Sequence, residues 1–353
     1  MTNGIFEHAE YDGHEQVCFG HDPATGLRAI IAVHNTRLGP GLGGLRMWPY
    51  GSEAEAVTDV LRLSRGMTYK NAMAGLAHGG GKAVIIGDPR RDKSPDLMRA
   101  MGRFVERQGG CYITAEDSGI SVPDLHALAE VTRFVTGVKA NPGPDGEVLT
   151  GDPSPATALG VFTGIRTAVR HALQRQDLQG LTVAIQGLGS VGYRLAAHLH
   201  EAGARLVVSD INPAPVERAR DAFGAEIASV DAIHGVRADI YSPCALGAAI
   251  NDHTLPELRA RIVAGAANNQ LQRPDHGREL HRRGILYAPD YVINAGGVID
   301  VGAQWGEYDA ARVRQRVLAI GETLDQVFRE AESSGEPPEV VADRIAERRF
   351  RGP

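Results

Sequence analysis

Residues 181–210 read LTVAIQGLGSVGYRLAAHLHEAGARLVVSD. A mostly apolar run leads into a glycine-rich turn, then an amphipathic stretch and a second β-branched run, which is the order of one βαβ unit. The turn spells G-x-G-x-x-G at Gly187, Leu188, Gly189, Ser190, Val191 and Gly192. Glycines let the chain turn tightly there, and the free N–H groups at the start of the next helix, with its dipole, suit a pyrophosphate. Asp210 closes the second strand, where a carboxylate accepts hydrogen bonds from the adenosine ribose. The same charge repels a 2′-phosphate, so the pattern calls for NAD rather than NADP. The expected fold class is α/β with two domains, one of them this Rossmann dinucleotide-binding domain, and a cleft between them.

Outward from this unit, a chain of 353 residues is long for a single core. The Pro/Gly-rich, aperiodic stretch 138–153, VKANPGPDGEVLTGDP, marks a boundary. We therefore expect a substrate-binding domain over 1–145, joined by a C-terminal helix at about 335–353, and a Rossmann domain over 146–334. After the boundary, Ser154 is placed to cap a helix, with Pro155 in its first turn. Before it, 27–36 reads as a strand, GPGLGG (39–44) as a break, and 52–70 as a helix capped by a Ser52/Glu55 box. Val57, Val60, Leu61 and Met67 recur there on one face.

That helix carries Lys70 near its end, shortly before HGGGKAVIIGDP (78–89), in which three glycines precede Lys82. A P-loop is excluded, because Leu76 and Ala83 stand where that motif needs glycine and Ser or Thr. A lysine can instead serve as a base when desolvation and a neighbouring cation weaken its hold on the proton. A lysine that binds a carboxylate must keep its charge.

The net charge of −6 argues against general nucleic-acid or anionic-membrane binding, which would want clustered Lys and Arg, and for a small-molecule substrate. No apolar run is long enough to span a bilayer, and the N-terminus has no secretory pattern, so a cytoplasmic protein is expected. Cys18, Cys111 and Cys244 are far apart, and no His/Cys/carboxylate cluster has metal-ligand spacing, so no metal is expected.

Several further stretches, GLRAIIAVHNTRLGPGLGG, RGMTYKNAMAGLAHGGGKAVIIGDPR, YITAEDSG, GDPSPATALGV, AGAANNQL and GILYAPDYVINAGGV, extend the pattern over nearly the whole chain. Together with the glycine turn they resemble the Glu/Leu/Phe/Val dehydrogenase family, and most of all its leucine-acting members. The resemblance implies NAD-dependent, reversible oxidative deamination of L-leucine, L-valine and L-isoleucine to 2-oxo acids and ammonium, by a homo-oligomer. Phenylalanine or another aromatic amino acid is the alternative substrate, and a non-catalytic binding protein on the same scaffold a more remote one. Carried over by position, Lys70 binds the substrate carboxylate, Lys82 is the general acid/base, and Asp117 relays protons at the substrate nitrogen. Leu42, Gly43, Gly44, Met67, Ala115, Val298 and Val301 are implied around the side chain, with Leu45 able to reshape that pocket if it turns inward. Thr157, Asn268 and Asn294 are implied near the nicotinamide or its ribose, although Thr and Asn at such places also suit caps and turns.

Overall fold

A computed structural model describes residues 4–139, 141–142, 148–149 and 151–352. The first half is built on a five-stranded sheet. Its elements are β1 (Gln16–Asp22), β2 (Leu27–Asn35), β3 (Gly41–Trp48), α1 (Glu53–Met73), β4 (Gly79–Ile86), α2 (Pro95–Glu106), β5 (Tyr112–Glu116) and α3 (Val122–Ala129). The strand order is β1-β2-β4-β3-β5. The β1–β2 and β2–β4 pairs are antiparallel, and β3 is parallel to β4 and to β5.

Each face of this sheet has its own core. Ala56, Val57, Val60 and Leu61 of α1 pack on Ile30, Ala32 and Val84. Met98, Met101 and Phe104 of α2 pack with Leu45, Met47, Ala83 and Ile85. Leu45 is fully buried there and takes no part in the cleft. Ser52 caps α1 through the Glu55 amide, while the Glu55 carboxylate accepts from the amide of Gly51, so the box is displaced by one residue. Met67 departs from the expected buried face and is half-buried on the cleft wall.

The two glycine clusters are not loops. Gly41, Gly43 and Gly44 lie inside β3, and Gly79, Gly80 and Gly81 inside β4, with Lys82 following in the same strand. Close packing explains them. A Cβ at Gly80 would run into the Thr68 backbone nitrogen and hydroxyl on α1, and one at Gly81 would come 2.6 Å from the Tyr112 ring. Buried Asn71 fastens the arrangement, its Nδ2 donating to Leu42 O (3.1 Å) and Gly79 O (2.6 Å). In β4 these glycines bring a helix down onto a strand.

The stretch 138–153 lies partly outside the described residues; within it β6 (Asn141–Pro142) and β7 (Val148–Leu149) pair. The second half follows with α4 (Ser154–Leu173), β8 (Thr182–Gln186), α5 (Ser190–Glu201), β9 (Arg205–Ser209), α6 (Pro213–Phe223), β10 (Glu226–Ile227), β11 (Ile240–Pro243), α7 (Thr254–Glu257) and β12 (Ile262–Val263). Then come α8 (Pro274–Arg282), β13 (Leu286–Tyr287), α9 (Asp290–Ile293), α10 (Gly296–Ala303), α11 (Ala310–Leu318), α12 (Ile320–Ser334) and α13 (Pro338–Arg351). Six strands form an all-parallel sheet in the order β10-β9-β8-β11-β12-β13. Ser154 does not cap α4 but lies in its first turn, where its N–H donates to Asp152 Oδ1 at 2.9 Å.

α13 returns to α1. Tyr69 donates to Glu347 at 2.8 Å, Arg349 donates to the carbonyls of Ala72 (3.1 Å) and Met73 (2.9 Å), and Phe350 packs on the Tyr69 ring. The end of α1 thus shares one apolar core with the helices of the second half. Among the described residues no helix is long and apolar enough to cross a membrane.

Because the α1–β4 contact has no room for a methyl group, Gly80→Ala is expected to destabilise the protein by about 2 kcal/mol, within the range for overpacking. Denaturant unfolding should show a lower midpoint; an unchanged midpoint would mean the contact is looser than described.

Candidate active site

A cavity of about 400 Å³ lies between the two sheets. Strands β3 and β4 deliver Gly44 and Lys82 to it, Asp117 follows directly on β5, and the C-terminal turns of α1 deliver Met67 and Lys70. The β3–β4 ladder runs through Gly41, Leu42 and Leu45–Trp48 and skips Gly43 and Gly44. A Cβ on Gly44 would stand 2.7 Å from Asp117 Cβ and 3.3 Å from Lys82 Nζ, so that glycine leaves the space in which the two side chains meet.

Lys82 Nζ lies 2.7 Å from Asp117 Oδ2, and both groups are largely shielded. Burial alone would raise the Asp117 carboxyl, but the charges of Lys82 and then Arg46 hold it well below the usual carboxylate range. It stays ionised at all working pH values.

Lys70 reaches across the cleft. Its Nζ donates to Asn294 Oδ1 at 2.7 Å, and Asn294 Nδ2 donates to Asn268 Oδ1 (2.7 Å) and Ala266 O (3.1 Å). Burial, opposed by Asp290 and reinforced by Lys82, pushes the Lys70 ammonium down to about 8. The expectation from sequence gave Lys70 a permanent charge, and burial weakens it. Asp290 is partly buried and its carboxyl is raised by desolvation, although it accepts from the Gln270 (2.8 Å) and Tyr291 (2.6 Å) amides.

The cavity wall brings together Leu42, Gly43, Met67, Ala115, Val298 and Val301 with Gly44, Lys70, Lys82 and Asp117. Thr157, Val191, Asn268 and Asn294 line it from the second half. Thr157 donates its hydroxyl to Pro153 O at 2.9 Å, back along its own helix.

The glycine turn joins β8 to α5. Gly187 has φ +98°, and a Cβ on Gly192 would collide with Gly187 O, so turn and helix are pressed together. Gly189 is the N-cap of α5, makes no side-chain cap, and has open space where a Cβ would project. Uncapped amides beside open space fit a pyrophosphate. The Leu188 side chain is core, while its amide donates to Asp210 Oδ2 at 2.6 Å. Asp210 Oδ1 takes the Asn212 amide at 2.8 Å. Each oxygen keeps a second lone pair for a ribose hydroxyl.

Sequence reasoning missed Arg46, Asp59, Tyr50 and Asp290. Arg46 and Asp290 line the cavity, and Asp59 and Tyr50 stand behind Arg46. Arg46 could have been noticed as the charge in the apolar run GGLRMW, and Asp290 as the acid in LYAPDYVIN.

Residues 14–134 match the model of the Glu/Leu/Phe/Val dehydrogenase dimerisation domain, and residues 151–214 and 214–337 that of Glutamate/Leucine/Phenylalanine/Valine dehydrogenase. The chain is 50% identical to the leucine dehydrogenase of Bacillus cereus over 350 residues, 99% of this chain and 94% of that protein. It is 47% identical over 354 residues to the valine dehydrogenase of Streptomyces virginiae, covering 99% of this chain and 98% of that one. Among solved structures, L-tryptophan dehydrogenase from Nostoc punctiforme superposes with a TM-score of 0.84 at 44% identity, over 96% of each chain.

The state of Lys70 sets a pH dependence. With a value of about 8, Lys70 attracts a carboxylate below that pH and loses its charge above it. The affinity for an aliphatic carboxylate such as 4-methylpentanoate should be flat up to pH 7 and fall up to about tenfold per pH unit above 8. Titration calorimetry across this range checks it, and the fall should vanish in Lys70→Gln; constant affinity up to pH 9.5 would contradict it.

Proposed function

From the premise that the chain belongs to the Glu/Leu/Phe/Val dehydrogenase family and is an amino-acid dehydrogenase, we propose that it oxidatively deaminates L-leucine, L-valine and L-isoleucine with NAD. The observation that carries this reading is one cavity lined by Lys70, Lys82 and Asp117 on one side and by aliphatic groups on another. In this reading residues 1–145 and 335–353 hold the substrate and 146–334 the cofactor, and the enzyme works in the cytoplasm as a homo-oligomer. The amides of the glycine turn and the Asp210 carboxylate would hold the dinucleotide, with Thr157, Asn268 and Asn294 toward its nicotinamide end. When bound, the nicotinamide accepts a hydride from the substrate α-carbon.

The residues of the chain do the rest. Lys70, as an ammonium, fixes the substrate carboxylate, so the α-carbon is presented in one orientation. Loss of hydride leaves an iminium carbon. Lys82 removes a proton from the water that attacks it, giving a carbinolamine; that proton passes from Lys82 by way of Asp117 to the nitrogen, and as ammonia leaves Lys82 takes the hydroxyl proton, so that the carbinolamine collapses to the 2-oxo acid. Asp117 suits this role, being ionised and hydrogen-bonded to the very lysine that takes up the proton.

Leu42, Met67, Ala115, Val298 and Val301 supply medium aliphatic walls around the side chain. Because Leu45 faces the α2 core, it does not narrow this space. A methylene more or less in such a pocket is worth about 1–3 kcal/mol, so valine and isoleucine should lie within roughly 10–200-fold of leucine.

The test is kcat/KM for a panel of L-amino acids with NAD and with NADP, read by NADH absorbance. Leucine, valine and isoleucine should be turned over with NAD in strong preference to NADP, and phenylalanine and tryptophan poorly. A phenylalanine value equal to or above that of leucine would move the assignment to aromatic substrates. Equal rates with NADP would remove the role given to Asp210.

A further inference from the structure

Two cations converge on a single oxygen of Asp117. Oδ2 receives Lys82 Nζ at 2.7 Å and Arg46 Nε at 3.0 Å. The carboxylate's remaining neighbour is Ser118, whose hydroxyl is 3.5 Å from Oδ1 and whose backbone also bonds it. Arg46 is in turn braced from behind: its Nη1 donates to Asp59 Oδ2 at 2.9 Å, the same oxygen that accepts the Tyr50 hydroxyl at 2.7 Å. Arg62 adds a contact to Asp59 Oδ1 at 3.3 Å. Arg46 also faces a second depression beside the cleft, lined by Trp48, Tyr50 and Asp59, so it forms the wall between the two. The reaction described above gives Arg46 nothing to do. Yet a largely buried guanidinium, locked between two carboxylates one step from the reacting groups, is an expensive thing to keep without a use.

We propose that Arg46 is a positioning residue for the proton chemistry of the cleft: held by Asp59, it takes a fixed share of the charge on Asp117 Oδ2 and thereby sets how firmly that carboxylate retains the Lys82 proton. The inference rests on the reading of Lys82 as acid/base. Its physical basis is that one carboxylate oxygen divides its attraction between two cations, so the removal of either strengthens its hold on the other. The guanidinium suits the task because its planar fork spans two carboxylates in a fixed orientation and never loses its charge, whereas an ammonium is a compact point charge with rotatable donors. The other charged or titratable groups facing this ensemble are Asp59, Arg62 and Lys70 from α1, Tyr50 from the segment after β3, and Tyr112 and Glu116 from β5. Across the cleft Asp290 acts on Lys70.

The test compares wild type, Arg46→Gln, Arg46→Lys and Asp59→Asn by two readouts. One is the rising alkaline limb of the deamination rate; the other is the pH dependence of reductive methylation at Lys82, followed by peptide mass. In Arg46→Gln both half-points should move up by about one pH unit, with much of the lost rate recovered on the high-pH plateau. Arg46→Lys should return the half-points to the wild-type position while kcat stays lower. Asp59→Asn, which leaves the Arg46 charge undivided for Asp117, should move them down, and it decides the matter if Arg46→Gln fails to fold. Unchanged half-points, or a rate lowered equally at every pH, would overturn the proposal and leave Arg46 a structural residue. If the wild-type protein deaminates no amino acid, the functional reading falls, and the Lys82 methylation half-points still decide the role of Arg46.

Discussion

The seat of α1 on the glycine strand β4 is the contact from which the cleft is made. Three successive glycines give up side-chain packing and conformational economy in the middle of a sheet, which weakens a strand on its own. In exchange the helix lies close enough for Asn71 to bond the backbones of both β3 and β4, and for Thr68 to sit directly over Gly80. This fixes the height of the last turn of α1 above the sheet, and so the distance between Lys70 on the helix and Lys82 on the strand. Gly44 makes the matching gap in β3, through which Lys82 and Asp117 meet.

Electrostatics then gives the two lysines different tasks. Lys82 is set against an ionised carboxylate, while Lys70 is tied only to a neutral amide, Asn294, with Asp290 at longer range. In the proposed reading a substrate carboxylate would offer Lys70 a full counter-charge. Since Asn294 also bonds Asn268 and Ala266, the same lysine joins the two halves across the cleft. The return of α13 onto α1, through Tyr69–Glu347 and Arg349, adds a second tie between the halves away from the chemistry.

Much of this was legible in the sequence where a motif carries its own mechanism. The βαβ unit with its glycine turn and the helix carrying Lys70 rest on local spacing, whereas the aliphatic set around Ala115 and the pairing of Lys82 with Asp117 came from the resemblance. What could not be read depends on partners distant in the chain. Glycine runs signal loops and close packing alike, and only the position of α1 distinguishes them, so 39–44 reads as a break although Gly41, Gly43 and Gly44 lie within β3. The direction in which Leu45 points follows from strand alternation, which requires knowing that 41–48 is a strand. The weakened ammonium of Lys70 comes from burial by residues more than two hundred positions away, such as Asn294. Arg46 escaped notice for a similar reason: its carboxylate partners stand on α1 and just beyond β5, and neither is marked by spacing. Ser154 has the composition of a cap and the place of a first-turn residue, with Asp152 taking its amide instead.

The central claim is that Lys82 performs the proton chemistry while the dinucleotide is held elsewhere, by the turn at Gly187–Gly192 and by Asp210. Lys82→Ala, measured in parallel for NADH binding by fluorescence and for turnover of L-leucine, tests it most directly. The account predicts NADH affinity within about threefold of wild type and turnover lowered by at least about a hundredfold, the scale of general acid–base catalysis. A variant retaining turnover within about tenfold of wild type, a loss below about 1.4 kcal/mol in activation free energy, would contradict it.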